Sequence, residues 1–423
     1  MKAIRVSHYI NPTTFELERD VTLFIEDGRV TEVRKIDCDL PREHLVYDAA
    51  IAMPGFVNSH AHLDLSHLYQ QVPTGLRLIE WIPAIIAGRK MPPAFIKTAM
   101  EDAVLQAVSH GTTSIIDVSV GGNSAAIMAK NGLSGIAALE LTTASGMTMH
   151  KIDDIIRDKF ELDRRRLGED AGKDSDPAAH GEVDFGYSPH AAYSVTEDEF
   201  QNAFGRAVGE GRICTPHVAE TEDELQYVRD GSGPFRELFE KAGLDQSGFK
   251  GYGCTPFELL LDQWLMPWLG AENPQLLLVH GNYVTENDLK LLNATKPSVC
   301  WCPRSHQYFG HEPWPLQQMV ETGANLTLGT DSLASNEGID MLGEIRSAHN
   351  SHPDFSVTEL FKMATINGRK VLGFDDDRAD VAVWGLPSGT EDKSLEELLQ
   401  AMLTGGTKLY ASLSHGQLIA RAI

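Results

Sequence analysis

Residues 55–67 read GFVNSHAHLDLSH, a run of strand length that opens apolar, ends on two histidines one residue apart and passes into a polar turn. Residues two apart on a strand project to the same side, so His60 and His62 share a face at the end of this run. Upstream lie short alternating runs, AIRVSHYI, VTLFIEDGRVTEVRKI and HLVYDAAIAM, broken by turn signals such as Asp27-Gly28. That is antiparallel β patterning. Downstream the texture changes to apolar runs separated by longer helical segments, the pattern of a parallel α/β fold. Eight such runs follow one another: GFVNSHAHL, TTSIIDVS, GIAALELT, VDFGYSPHA, RICTPHVAE, LLLVHGNYV, PSVCWCPRS and NLTLGTDSLAS. Eight βα repeats predict a (β/α)8 TIM-like barrel, whose catalytic groups stand on the rim at the C-terminal ends of the strands.

The barrel is expected over 54–375. Beyond Asp331 the pattern predicts helices around 337–350 and 356–371, after which DVAVWG, TKLYASLS and GQLIARA return to short strands. Neither terminal segment has enough strands to bury a core alone, so 1–53 and 376–423 are expected to form one composite β-sandwich domain. Residues 163–182, DRRRLGEDAGKDSDPAAHGE, are charged and nearly devoid of large apolar groups, which reads as an exposed loop.

The chain has 36 Lys and Arg against 60 Asp and Glu, a formal charge of −24 over 423 residues. Such an excess of negative charge repels phosphate backbones and anionic lipid, so neither nucleic acid nor a membrane is expected as a partner. The N-terminal stretch has no apolar h-region and no run reaches the roughly 18 apolar residues of a membrane span. Five cysteines at irregular spacing do not make a disulfide framework, and with the missing leader they point to the cytoplasm. Cys300 and Cys302, in SVCWC, read as buried strand residues rather than metal thiolates. A homodimer is the default assembly.

The polar residues of the eight runs fall at their ends: His60 and His62, His190, His217, His280, Arg304 and Asp331. An H-x-H pair alone carries little weight. With His217 closing the fifth run and Asp331 the eighth, four ligands of N3O type converge on one mouth and leave a position open for solvent, as a catalytic site does. Imidazole nitrogen suits one divalent ion, zinc first, with iron(II) as the alternative. In the competing reading His217 closes its strand and Asp331 caps the next helix.

The runs PGFVNSHAHLDLSH, SPHAAYSV, HVAETEDE, VHGNYV, CPRS and LGTDSLASN, in this order and over essentially the whole chain, resemble the amidohydrolase superfamily. The resemblance is to its branch of aminohydrolases and chlorohydrolases acting on purine, pyrimidine and triazine rings. It implies that His60, His62, His217 and Asp331 hold the metal and that Glu220 and His280 carry protons. Binuclear members bridge two ions with a carboxylated lysine at the end of strand four. The corresponding stretch here, VDFGYSPHAAYSV, has no lysine, which points to one ion.

A divalent ion lowers the pKa of water from 15.7 towards about 7. Asp331 then accepts the proton of the attacking water, as the family mechanism implies. Expelling ammonia from an aromatic carbon needs a proton on the ring nitrogen and then on the amine, work that suits a shuttling Glu220. Glu222 and Glu224 read instead as exposed helix-start acids favoured by the macrodipole. His280 is expected to orient water or steady developing negative charge, with a fourth-ligand role as its rival. His190 is a substrate contact or a structural hydrogen bonder. Glu80 and Trp81, in LIEWIPAI, suit a ribose-bearing substrate, with the carboxylate on hydroxyls and the indole stacking; the alternative is a core tryptophan beside a surface acid. Arg304, Ser332 and Asn336 complete the candidate lining.

The reading is a metal-dependent hydrolytic deaminase of an adenosine-like nucleoside, of thio-adenosine, S-adenosylhomocysteine or aminofutalosine type. A triazine chlorohydrolase or N-alkylamine hydrolase is the enzymatic alternative, and a metal-bound binding module without catalysis the non-enzymatic one. The chain lacks the C-x-x-C of the small zinc deaminases and the H-E-x-x-H of zinc proteases.

Overall fold

The computed structural model describes residues 1–142, 146–161, 181–244, 246–270, 273–390 and 392–421. The loop expected over 163–182 lies, apart from its last two residues, outside them. Every run read as a strand forms one. The N-terminal segment contributes β1 (Lys2–Ile10), β2 (Leu17–Glu26), β3 (Arg29–Lys35) and β4 (His44–Pro54). The eight central runs give β5 (Phe56–Ala61), β6 (Thr112–Ser119), β7 (Ser134–Leu141), β8 (Val183–Pro189), β9 (His217–Val218), β10 (Asn273–His280), β11 (Pro297–Trp301) and β12 (Asn325–Leu328). The C-terminal segment gives β13 (Val381–Gly385), β14 (Leu409–Ser414) and β15 (Gln417–Arg421).

The central strands form two parallel four-stranded sheets, β5-β6-β7-β8 and β12-β11-β10-β9. Residues along β5, β6 and β11 are buried on both faces, as parallel strands covered by crossover helices must be. The sheets meet through single bridges at both edges: Ala61 with Asp331 on one side, and Tyr187 and Leu276 with Cys214 on the other. The first seam needs a glycine, because a Cβ on Gly329 would lie 2.8 Å from the Cβ, N and O of His60. Asn58 fastens the same seam, donating from Nδ2 to Thr330 Oγ1 (2.8 Å) and accepting from Thr330 N (3.0 Å).

Both termini join one seven-stranded sheet, β15-β14-β13-β4-β1-β2-β3. The expected sandwich is therefore a single sheet that curls. Val21, Leu23 and Ile25 of β2 pack in one cluster with Ala411 and Leu413 of β14, four strands away. The β2–β3 turn meets the β14–β15 turn so closely that a Cβ on Gly28, at φ +76, would meet the His415 ring at 2.3 Å. The other face packs on the entry to β5, where Trp384 lies 5.8 Å from Phe56, and so leaves the strand exits free. Of the helices expected after Asp331, the first is Met341–Ser351; the second is split at Thr365 into Val357–Met363 and Ile366–Leu372. Among the described residues no helix is long and apolar enough to cross a membrane.

Candidate active site

The exits of β5, β9, β10 and β12 bring six polar side chains together. His62 Nε2 lies 3.3 Å from His217 Nε2. Asp331 Oδ1 lies 3.7 Å from His60 Nε2 and 3.9 Å from His62 Nε2. A tetrahedral ion with bonds near 2.1 Å holds its ligands about 3.4 Å apart, close to these separations. The candidate ligand atoms of His60, His62 and His217 lie within 4.8 Å of one another, and so do those of Glu220, His280 and Asp331.

The electrostatics fit a cation. Burial pushes the imidazoles of His60 and His62 well below their ordinary range and that of His217 to about 3, so all three are neutral, the form that ligates. Both ring nitrogens of His60 and Nδ1 of His62 are buried without a hydrogen-bond partner. Of these, His60 Nε2 faces the Asp331 carboxylate at 3.7 Å, and a buried nitrogen so placed is costly unless something binds it. The set of three imidazoles and one aspartate fits a first-row divalent ion.

His217 and Asp331 are held from behind. His217 Nδ1 lies 3.2 Å from the carbonyl oxygen of His190, which leaves Nε2 turned towards His62. Asp331 Oδ2 accepts from Ser305 Oγ (2.6 Å) and Ser335 Oγ (3.3 Å), and Oδ1 accepts from Ser332 N (2.8 Å). Glu220 Oε1 stands 3.6 Å from His280 Nε2. Burial, then the charges of Asp331 and Glu224, push the Glu220 carboxyl well above the usual range. Burial, then His217 and His60, push His280 down. The backbone is strained at three of these four exits: Ala219 (φ +50), His280 (φ +74) and Asp331 (φ +59) are left-handed without being glycine. Such outliers cluster where geometry serves a site.

The other residues singled out in the sequence fall differently. His190 adjoins the histidine cluster, its ring 4.7 Å from that of His217, and its Nδ1 is 2.7 Å from Ser194 Oγ. Trp81 Nε1 donates to the carbonyl of Ala334 (3.4 Å), three residues past Asp331, and its ring meets Phe309 edge-on. Glu80 turns the other way: Oε2 accepts from Arg77 N (3.0 Å) in a capping box, with nearly half its side chain exposed. Arg304 is engaged by partners of its own. Its guanidinium donates to Glu344 Oε1 (2.7 Å) and to the carbonyls of Gly338 and Asp340. Asn336 joins that network through Glu344 Oε1 and Thr330 O. Ser332 is fully buried and meets the site through its backbone N–H.

Glu224 corrects the sequence reading. It is buried at 1% exposure, and its two oxygens accept from the N–H groups of Ala219 (3.1 Å) and Glu220 (2.8 Å). Asn58, Asn282, Ser305 and Ser335 were not singled out either. Only their nearness to the strand-end motifs could have flagged them.

The sequence matches the model of the Amidohydrolase family over residues 51–383. It is 25% identical over 363 residues to the 5-methylthioadenosine/S-adenosylhomocysteine deaminase of Pyrococcus abyssi, covering 83% of this chain and 76% of that one. Among solved structures, the Helicobacter pylori aminofutalosine deaminase in complex with methylthio-coformycin superposes with a TM-score of 0.79 at 18% identity, covering 99% of this chain and all of that one. The zinc complex of atrazine chlorohydrolase from Arthrobacter aurescens TC1 gives 0.74 at 17% identity, with 100% and 95% covered. The two structural likenesses carry the fold, an α/β architecture of TIM-barrel type. With strands in this order, donors at their exits and a family match across most of its length, the chain belongs to the amidohydrolase family.

Proposed function

We propose that this protein is a metal-dependent hydrolase of carbon–nitrogen bonds that deaminates an adenosine-like nucleoside, with one divalent ion, zinc, held by His60, His62, His217 and Asp331. The observation that carries this reading is the pairing of two sets on one rim: three neutral imidazoles gathered beside Asp331, with His60 Nε2 unpartnered 3.7 Å from its carboxylate, and Glu220, its carboxyl pushed up by burial, within 3.6 Å of His280. The bridges at both seams support reading the two half-sheets as one eight-stranded ring around this rim.

When bound, the ion supplies Lewis acidity that brings the ionisation of water into the neutral range. Asp331 takes the proton of the attacking water on the carboxylate that Ser305 and Ser335 hold in place. Glu220, whose carboxyl burial favours in its protonated form, gives its proton to the ring nitrogen, takes up the water proton from Asp331 and delivers it to the departing amine, and regains one from the new hydroxyl as the carbonyl forms. Neutral His280 orients the water and opposes charge that develops on the ring. Trp81 and His190 border the space a ring would enter.

The names of relatives, methylthioadenosine and aminofutalosine deaminases, favour a 5′-modified adenosine over a triazine. Ammonia release should be measured across adenosine, 5′-methylthioadenosine, S-adenosylhomocysteine, guanine, cytosine and aminotriazines. Turnover of at least one adenosine derivative above all the others is expected. Silence on every aminated ring, with chloride released from a chlorotriazine, would replace the reading with the chlorohydrolase one.

A further inference from the structure

We propose that Glu224 and Asn282 are positioning residues for Glu220, gripping its peptide from opposite sides so that its carboxyl is held against His280. The proposal rests on the reading of Glu220 as the proton carrier. Glu220 follows directly on Ala219, whose left-handed backbone (φ +50) turns the chain out of β9 and towards the mouth. An alanine does not hold that conformation on its own. Two side chains hold it. From the helix Glu222–Asp230, Glu224 reaches back with Oε1 accepting from Ala219 N at 3.1 Å and Oε2 from Glu220 N at 2.8 Å. From the exit of β10, Asn282 Nδ2 donates to Glu220 O at 2.9 Å, and its own N–H donates to Ala219 O at 3.0 Å. The far side of the Asn282 amide is held by the His306 ring, at 3.1 Å.

Helix capping does not account for this. In a capping box the N3 acid reaches the N–H of its own N-cap, here Thr221, whose Oγ1 already accepts from Glu224 N at 3.1 Å. Glu224 instead reaches past the cap to the two peptides that aim Glu220. Its burial in a carboxylate-rich corner, with Glu220 beside it, is expensive for a residue that only starts a helix. Glutamine at 224 keeps one acceptor but sets an amide N–H₂ against a backbone N–H, so the turn loses its hold. A displacement of about 1 Å in a reacting group costs on the order of a hundredfold in rate.

The test is a double-mutant cycle on the full-length, metal-loaded protein. Glu224→Gln and Asn282→Ala are made singly and in the Glu220→Gln background, and kcat, KM, melting temperature and metal content are measured. Each single variant should lose about tenfold to a hundredfold in kcat with KM within about threefold and metal unchanged. In the Glu220→Gln background neither should add more than about twofold, because the group they position is gone. Asn282→Ala approaches from the opposite side, so it decides the matter if Glu224→Gln fails to fold. Losses that multiply in both backgrounds, or a lowered melting temperature with kcat untouched, overturn the clamp. Full turnover in both clamp variants while Glu220→Gln is inactive overturns the clamp alone. Full turnover in Glu220→Gln itself removes the reading beneath it, and the clamp with it.

Discussion

Two buried polar clusters lie side by side on the rim, and they differ in how their atoms are satisfied. In the first, His60, His62 and His217 present neutral nitrogens, three of the ring atoms of His60 and His62 being without a partner. In the second, Arg304 and Glu344 form a tight ion pair at 2.7 Å, with Glu344 also accepting from Arg304 N and Asn336 Nδ2. Both contain groups that cost free energy to bury. The second cluster is complete in itself and closes the rim to the helix Met341–Ser351. The first is complete only with something added. Between these two clusters, then, the unpartnered atoms lie where the ion is proposed, and the fully paired ones belong to the frame beside it.

The contrast can be broken from either side. The largest effect is expected at the unsatisfied cluster: Asp331→Ala should cost about 10⁴-fold or more in turnover by removing a ligand and the proton acceptor together. Turnover within tenfold of the parent would take Asp331 out of the site. Next comes the frame. Arg304→Ala strands fully buried Glu344 without its cation, for an expected loss of about 3–5 kcal/mol of stability with metal content unchanged in the folded protein. If Arg304→Ala instead raises KM with normal melting, the residue contacts substrate after all. Glu220→Gln should lower kcat at least about a hundredfold, roughly 2.7 kcal/mol of barrier, while the protein still melts and loads metal as before. The smallest effect belongs to Glu80→Ala, which removes one capping interaction and should cost about 0.5–1 kcal/mol with KM for a nucleoside unmoved. A tenfold rise in KM would restore Glu80 to the ribose.

Much of this organisation is legible in the sequence because it is local. The eight apolar runs become β5 to β12 since a strand buried on both faces must be apolar along its length until it exits, and the polar residue at each exit then stands on the rim. What escaped depends on partners far along the chain. Arg304 sits at the expected end of β11, yet its guanidinium is taken up by buried Glu344, forty residues on. Glu224 looks like any acid in a first helical turn; its burial follows from the left-handed step at Ala219, which no propensity announces. The terminal strands were recognisable one by one, but their joining into one curled sheet rests on β4 pairing with β13 across more than three hundred residues.

The central claim is that His60, His62, His217 and Asp331 hold one ion, and metal analysis of protein purified without added zinc tests it most directly. About one equivalent of zinc per chain is expected in the parent, falling to about a tenth or less in His217→Ala and in Asp331→Ala that still fold. Two stable equivalents, or a content that neither substitution lowers, would contradict it.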